Sequence, residues 1–180
     1  AYCASANHPQ ADGIAVEAIR LVSQHLLTAV NAPENIAARS AMMSASLMGA
    51  TAFQKGLGAM HSMAHVIGAK LDAHHGLINA VVMPYVLVHN RRTIDQRIGR
   101  LASYMGLEEP NFDGFLAWVM YLREKLDIPP TIKDLGVTEQ HIPGFASASL
   151  IDPSTGSNPS TMTVRDFETI YRNALNGTLT

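Results

Sequence analysis

The chain has 180 residues, of which 47% are hydrophobic, and a formal net charge of −2 from 13 basic and 15 acidic side chains. This is the size of one ordinary domain with enough apolar residues for a core. With no basic stripe or polybasic run, neither nucleic acid nor an anionic membrane is an expected partner. Uninterrupted apolar stretches such as Ala80–Leu87 are too short to span a bilayer. The start shows no signal-peptide pattern, and the single cysteine, Cys3, suits a reducing compartment, so a cytoplasmic location is expected.

Along the chain, helical periodicity dominates. Ile14, Ala18, Leu21, Val22 and Leu26 recur at three- and four-residue steps. Pro33 and Asn35 mark a new start, and Arg39 to Phe53 reads as a second helix whose small residues and methionines suit close packing. Gly56 and Gly58 interrupt it. A third helix is expected over His61 to Gly68, and a fourth after Gly76, with Pro84 as a kink or boundary. Thr93 reads as the cap of a further helix through Met105, ended by Gly106. Phe112 to Leu126 forms the next, stopped by Pro129–Pro130. A short helix is expected over Thr138 to Ala148, and Ile151–Thr161 is the most loop-like stretch. Thr163 and Asp166 form a capping box before the last helix. With no period-two alternation, few or no strands are expected, and the fold class is all-α.

The chemistry concentrates between His61 and His89, which hold five of the eight histidines. His61 and His65 are four apart, so on a helix they share a face. Imidazole is the commonest metal ligand, although this spacing also arises from ordinary surface or core histidines. Ser62 stands where a zinc-protease helix needs Glu. On one straight helix, His61 and His75 would lie about 21 Å apart at 1.5 Å per residue. A shared ion therefore needs a break between them, for which Gly68, Gly76 and the polar stretch Asp72–His74 are the candidates. Asp72 reads as a loop residue, His89 as a helix-end residue, and the methionines as core. Asn79, four after His75, is placed either to hydrogen-bond at the site or to tie helix to loop. Cys3 has no histidine near it in sequence and is not expected to be a catalytic thiol.

The segment GLGAMHSMAHVIGA, followed by HHGLINAVVMPYVLVHN, closely resembles the signature of iron-containing (group III) alcohol dehydrogenases. Similar matches run through ANHPQADGIAVEAIRLV, ARSAMMSASLMGATAF and the stretch from Leu126 through Asp152 and Asn158-Pro159 to the last helix. The resemblance implies the helical, bundle-like, metal-binding domain of the dehydroquinate synthase-like fold, spanning 1–180. In such enzymes an N-terminal nucleotide-binding domain carries NAD or NADP on a glycine-rich loop; that domain is absent from this sequence. The family holds Fe(2+), sometimes Zn(2+), with an Asp and a His from one helix and two later histidines. By motif position the later two are His61 and His75, with Gly76 and Asn79 selecting His75 over His74. His65 matches a family histidine that lies near nicotinamide and substrate without ligating the metal, and is implied to be both catalytic and cofactor-binding. Ala1-Tyr2 resemble the last two residues of the family's earlier ligand motif, so the chain alone is expected to lack activity.

The implied reaction is hydride transfer between a primary alcohol or aldehyde and NAD(P), in an enzyme expected to be a homo-oligomer. The alternatives are a related reductase of the maleylacetate reductase or glycerol dehydrogenase type, or a non-catalytic helical metal-binding module. Three departures bear on subclass: His74 stands where the family usually has Pro, Ser154 where Cys is common, and Ser157 and Ser160 flank Asn158-Pro159.

Overall fold

A computed structural model describes all residues, 1–180, as seven α-helices with short 3-10 turns and no strand. The helices are α1 (Pro9–Asn31), α2 (Ile36–Ala52), α3 (Ala59–Leu71), α4 (His75–Met105), α5 (Phe112–Lys125), α6 (Ile142–Ile151) and α7 (Val164–Asn176). The all-α expectation matches.

Caps explain most boundaries. Pro9 opens α1 behind His8, whose Nδ1 accepts from the amide of Ala11. Asn35 and Asn111 accept from Ala38 and Gly114 at the starts of α2 and α5. Each such bond satisfies one of the four amides that a helix start leaves free. Thr163 and Asp166 cap α7 reciprocally, as the sequence predicts.

The main core joins α3, the first half of α4, α6 and α7 around Met63, Ile67, Ile78, Val81, Phe167 and Tyr171. A second cluster packs the distal half of α4 (Ile94, Ile98, Leu101) on Phe112, Phe115 and Val119 of α5. A third, small cluster sets Ala11 and Ala15 of α1 against Ala52.

Four expectations need correction. Thr93 caps nothing: α4 runs unbroken from His75 to Met105, and the Thr93 hydroxyl donates to the carbonyl of Asn90 inside it. Pro84 neither ends nor divides this helix, and His89 is consequently mid-helix. The fourth helix starts at His75, before Gly76; of the candidate breaks the polar stretch Asp72–His74 is the one used, because Asp72 takes the left-handed conformation (φ 51°) and His74 caps the new helix through Nδ1. Finally, α1 has 23 residues and, by length and composition, is the one helix long and apolar enough to cross a membrane, which a search for short apolar runs overlooks. Its Ala11, Ala15 and Ala18 face the interior, and its outer side carries the Arg20–Glu17 ion pair.

Candidate metal centre

Helix α3 brings His61 and His65 onto one face, and the reversal at Asp72 returns the chain so that His75 opens α4 beside them. The His61 and His75 ring centroids are 5.4 Å apart, as are those of His65 and His75, and His61 and His65 are separated by 6.1 Å. His74, the rejected neighbour, is instead occupied as the cap of α4.

The start of α3 is fixed from across the chain. The Asn158 side-chain oxygen accepts from the amide of Ala59 and from the Asn90 side chain, while the Asn158 amide donates to Asn90 and to Ser160. Gly58 allows this approach: its φ is 150°, and a Cβ there would come within 3.0 Å of Asn158 Oδ1. On the inner face of α3, buried Ser62 bonds Thr155 Oγ1 at 2.7 Å, and Thr155 donates to the Ser149 carbonyl. These bonds lock the helix that bears His61 and His65 to the 3-10 turn Pro153–Ser157.

Behind His61, the short turn Phe53–Lys55 sets the Phe53 ring edge-on against the imidazole, with centroids 5.7 Å apart. The turn is held by Lys55, which is buried and donates to Asp12 and to the carbonyl of Tyr2 at 2.8 Å. Arg97 from α4 donates to the same carbonyl and carboxylate, at 2.6 and 3.3 Å. A cavity of about 190 Å³, lined by Cys3, Met60, His61 and Ile98 among others, lies between this network and α5. Cys3 therefore lines the same cavity as His61, although its thiol is buried and its pKa is pushed up by that burial.

Each histidine has a distinct environment. Burial, reinforced by the neighbouring His75, pushes the His61 pKa down to about 4, so this imidazole is neutral near pH 7 with a lone pair available. The Asn79 amide donates to His75 Nε2 and to the His75 carbonyl, both at 3.0 Å, so Asn79 is a site residue. Its own Oδ1 is buried without a partner. His65 is paired through Nδ1 with Asp152 Oδ2 at 2.9 Å, and Asp152 Oδ1 accepts from the amide of Ser154.

The donor set fits a divalent iron or zinc ion in part. Two imidazoles face one another with ring centroids 5.4 Å apart, where ligands of one ion would have to lie within ~4 Å. Asn79 has to release Nε2 for that atom to ligate, and its orphaned oxygen marks the spot as one whose polar requirements the chain does not meet alone. No group of three or more His, Cys, Asp or Glu is arranged to hold an ion. His61 and His75 could thus supply two donors of a larger set, while His65 is held by Asp152 through Nδ1. Asp152, Asn158 and Asn90 carry the family resemblance in sequence, but their partners lie 87, 99 and 68 residues away, where spacing is uninformative.

Residues 1–175 match the family model described as the Fe-containing alcohol dehydrogenase family, C-terminal. The chain is 35% identical over 183 residues to a 4-hydroxybutyrate dehydrogenase of Cupriavidus necator, covering 97% of this chain and 47% of that protein. It is 33% identical to an NAD-dependent methanol dehydrogenase of Bacillus methanolicus, covering 97% and 48%. The crystal structure of a 1,3-propanediol oxidoreductase superposes with a TM-score of 0.92 at 32% identity, covering 97% of this chain and 47% of that one. The chain therefore spans about half the length of the relatives it matches. It belongs to the Fe-containing alcohol dehydrogenase family, and its helices are those of the family's C-terminal domain.

Proposed function

We propose that this chain is the metal-binding part of an NAD(P)-linked alcohol dehydrogenase that interconverts small primary alcohols and aldehydes. In this reading His61 and His75 are two ligands of Fe(2+), with Zn(2+) as the alternative ion, and His65 works beside the nicotinamide and substrate. The observation that carries it is the meeting of the His61 and His75 rings at 5.4 Å on a chain of this family. The relatives named above act, by their names, on a hydroxy acid, methanol and a diol, which supports a small hydroxylated substrate.

A bound divalent cation would lower the alcohol's pKa and polarise the carbonyl while hydride passes to the nicotinamide. The chain's own residues prepare for that chemistry. His61 is held neutral by burial, in the form that ligates. The Ser62–Thr155 and Asn90–Asn158 bonds fix the start of α3, which carries His61. Such supporting bonds orient ligands and are commonly worth 10–100-fold in metal affinity. We also propose a cytoplasmic location, which the single cysteine supports, and a homo-oligomer.

Metal analysis of the intact protein with a screen of alcohols and aldehydes against NAD and NADP tests this reading. The expected result is about one iron or zinc per chain and metal-dependent turnover. A protein with full metal content and no oxidoreductase activity toward any of them would refute it in favour of a metal-binding module.

A further inference from the structure

We infer that Asp152 is a positioning residue that fixes the tautomer of His65, leaving His65 Nε2 as the site's proton acceptor. The inference rests on the dehydrogenase reading above for what the proton is, and on the geometry alone for where the lone pair points. Asp152 begins the 3-10 turn Pro153–Ser157, and its Oδ1 is committed to the amide of Ser154 at 2.8 Å. Only Oδ2 is left, and it stands 2.9 Å from His65 Nδ1. A carboxylate accepts and does not donate, so Nδ1 carries the hydrogen and Nε2 carries the lone pair. Nε2 has no hydrogen-bond partner in the chain.

The burial of the two partners differs in the direction such a device needs. The Asp152 side chain is 12% exposed, whereas that of His65 is 43% exposed, on the face shared with His61 and His75. The carboxylate is thus shielded from substrate, and the imidazole is open to it. The turn that carries Asp152 is itself clamped to α3 through Thr155 and Ser62, so the pair is held at both ends. A carboxylate behind an imidazole in this way sets the tautomer and stabilises the imidazolium that forms.

In alcohol oxidation the substrate loses two hydrogens by different routes. The carbon-bound hydrogen leaves as hydride to the oxidised nicotinamide of the proposed reaction. The hydroxyl O–H bond breaks, its proton forms the Nε2–H bond of His65, and the positive charge is held against Asp152 through Nδ1–H until water takes the proton. Reduction of an aldehyde runs the same path backwards, with His65 Nε2–H as the acid.

The test is nitrogen-15 spectroscopy of the 180-residue chain labelled at histidine, at mildly alkaline pH, with His65 assigned by its loss in His65→Gln. The wild type is expected to show His65 with a protonated Nδ1 and a bare Nε2. In Asp152→Asn the amide oxygen keeps the Ser154 bond and turns its NH2 group to His65, so the two nitrogen resonances should exchange places. Asp152→Ala, which leaves His65 without a partner, should give an unbiased mixture. A purely structural pairing would leave the tautomer unchanged in Asp152→Asn. That result, or a wild type protonated at Nε2, overturns the inference. The readout needs no turnover, so a failure of the dehydrogenase reading would not mimic it.

Discussion

His61 and His75 stand with ring centroids 5.4 Å apart because the backbone at Asp72 turns left-handed between them. A continuous helix would have carried the two rings apart by about 21 Å at 1.5 Å per residue. The reversal therefore does the geometric work of the site, and its cost falls on one non-glycine residue with φ 51°.

The strain at Asp72 is testable. Asp tolerates this region better than most residues, whereas a β-branched side chain does not. Asp72→Val is expected to lose about 1–2 kcal/mol of stability in urea unfolding. Asp72→Gly should stay within about 1 kcal/mol of wild type, since glycine adopts the conformation freely but gains freedom in the unfolded chain. Equal effects of the two substitutions would show that the turn is not what limits them.

The pair behind Phe53 should behave as a buried ion pair. The Lys55 side chain is fully buried and that of Asp12 is 26% exposed. Asp12→Ala leaves an ammonium with only the Tyr2 carbonyl, and is expected to cost about 3 kcal/mol. Lys55→Met combined with Asp12→Asn should cost clearly less than the sum of the single changes, because no fully buried charge is then stranded and Arg97, 37% exposed, keeps the Tyr2 carbonyl and solvent. Thermal unfolding of wild type, Asp12→Asn, Lys55→Met and the double variant measures the coupling.

The α7 cap provides a pH-dependent control. The Thr163 hydroxyl, with the Thr163 amide, holds the Asp166 carboxyl below its ordinary range. A depressed carboxylate pKa contributes stability that is present above the unfolded value of about 3.9 and is lost as pH falls through the folded value. Thr163→Ala should therefore cost about 1 kcal/mol at neutral pH. The difference from wild type should narrow below about pH 4. A gap that widens in acid would contradict this assignment.

Much of the fold was legible because its signals are local. The caps at Asn35 and Thr163, the stop at Pro129–Pro130 and the apolar faces of α1 and α5 all follow from residues within a few positions of one another. Thr93 misled because a threonine inside a helix can bond the carbonyl three residues back, which satisfies the hydroxyl without starting a new helix. Pro84 misled because the helix tolerates one missing amide where core packing on both sides holds it, through Val81, Val82, Tyr85 and Val86. At the site, the pairing of His61 with His65 followed from helical spacing, and His75 was singled out by the family motif. Asp152 and Asn158 act across most of the chain, so only the fold could pair them with His65 and α3.

The division of labour among the three histidines is the central claim, and metal retention measures it most directly. Iron(II) or zinc content and affinity should be determined for the intact protein and for His61→Ala, His75→Ala and His65→Ala. His61→Ala and His75→Ala are each expected to abolish retention of the ion together with activity, because each removes one of the two converging donors. His65→Ala should keep the metal and lower turnover, because Asp152 holds its Nδ1 and the proposed reading gives its Nε2 to the substrate. Loss of the metal from His65→Ala as complete as that from His61→Ala would contradict the account.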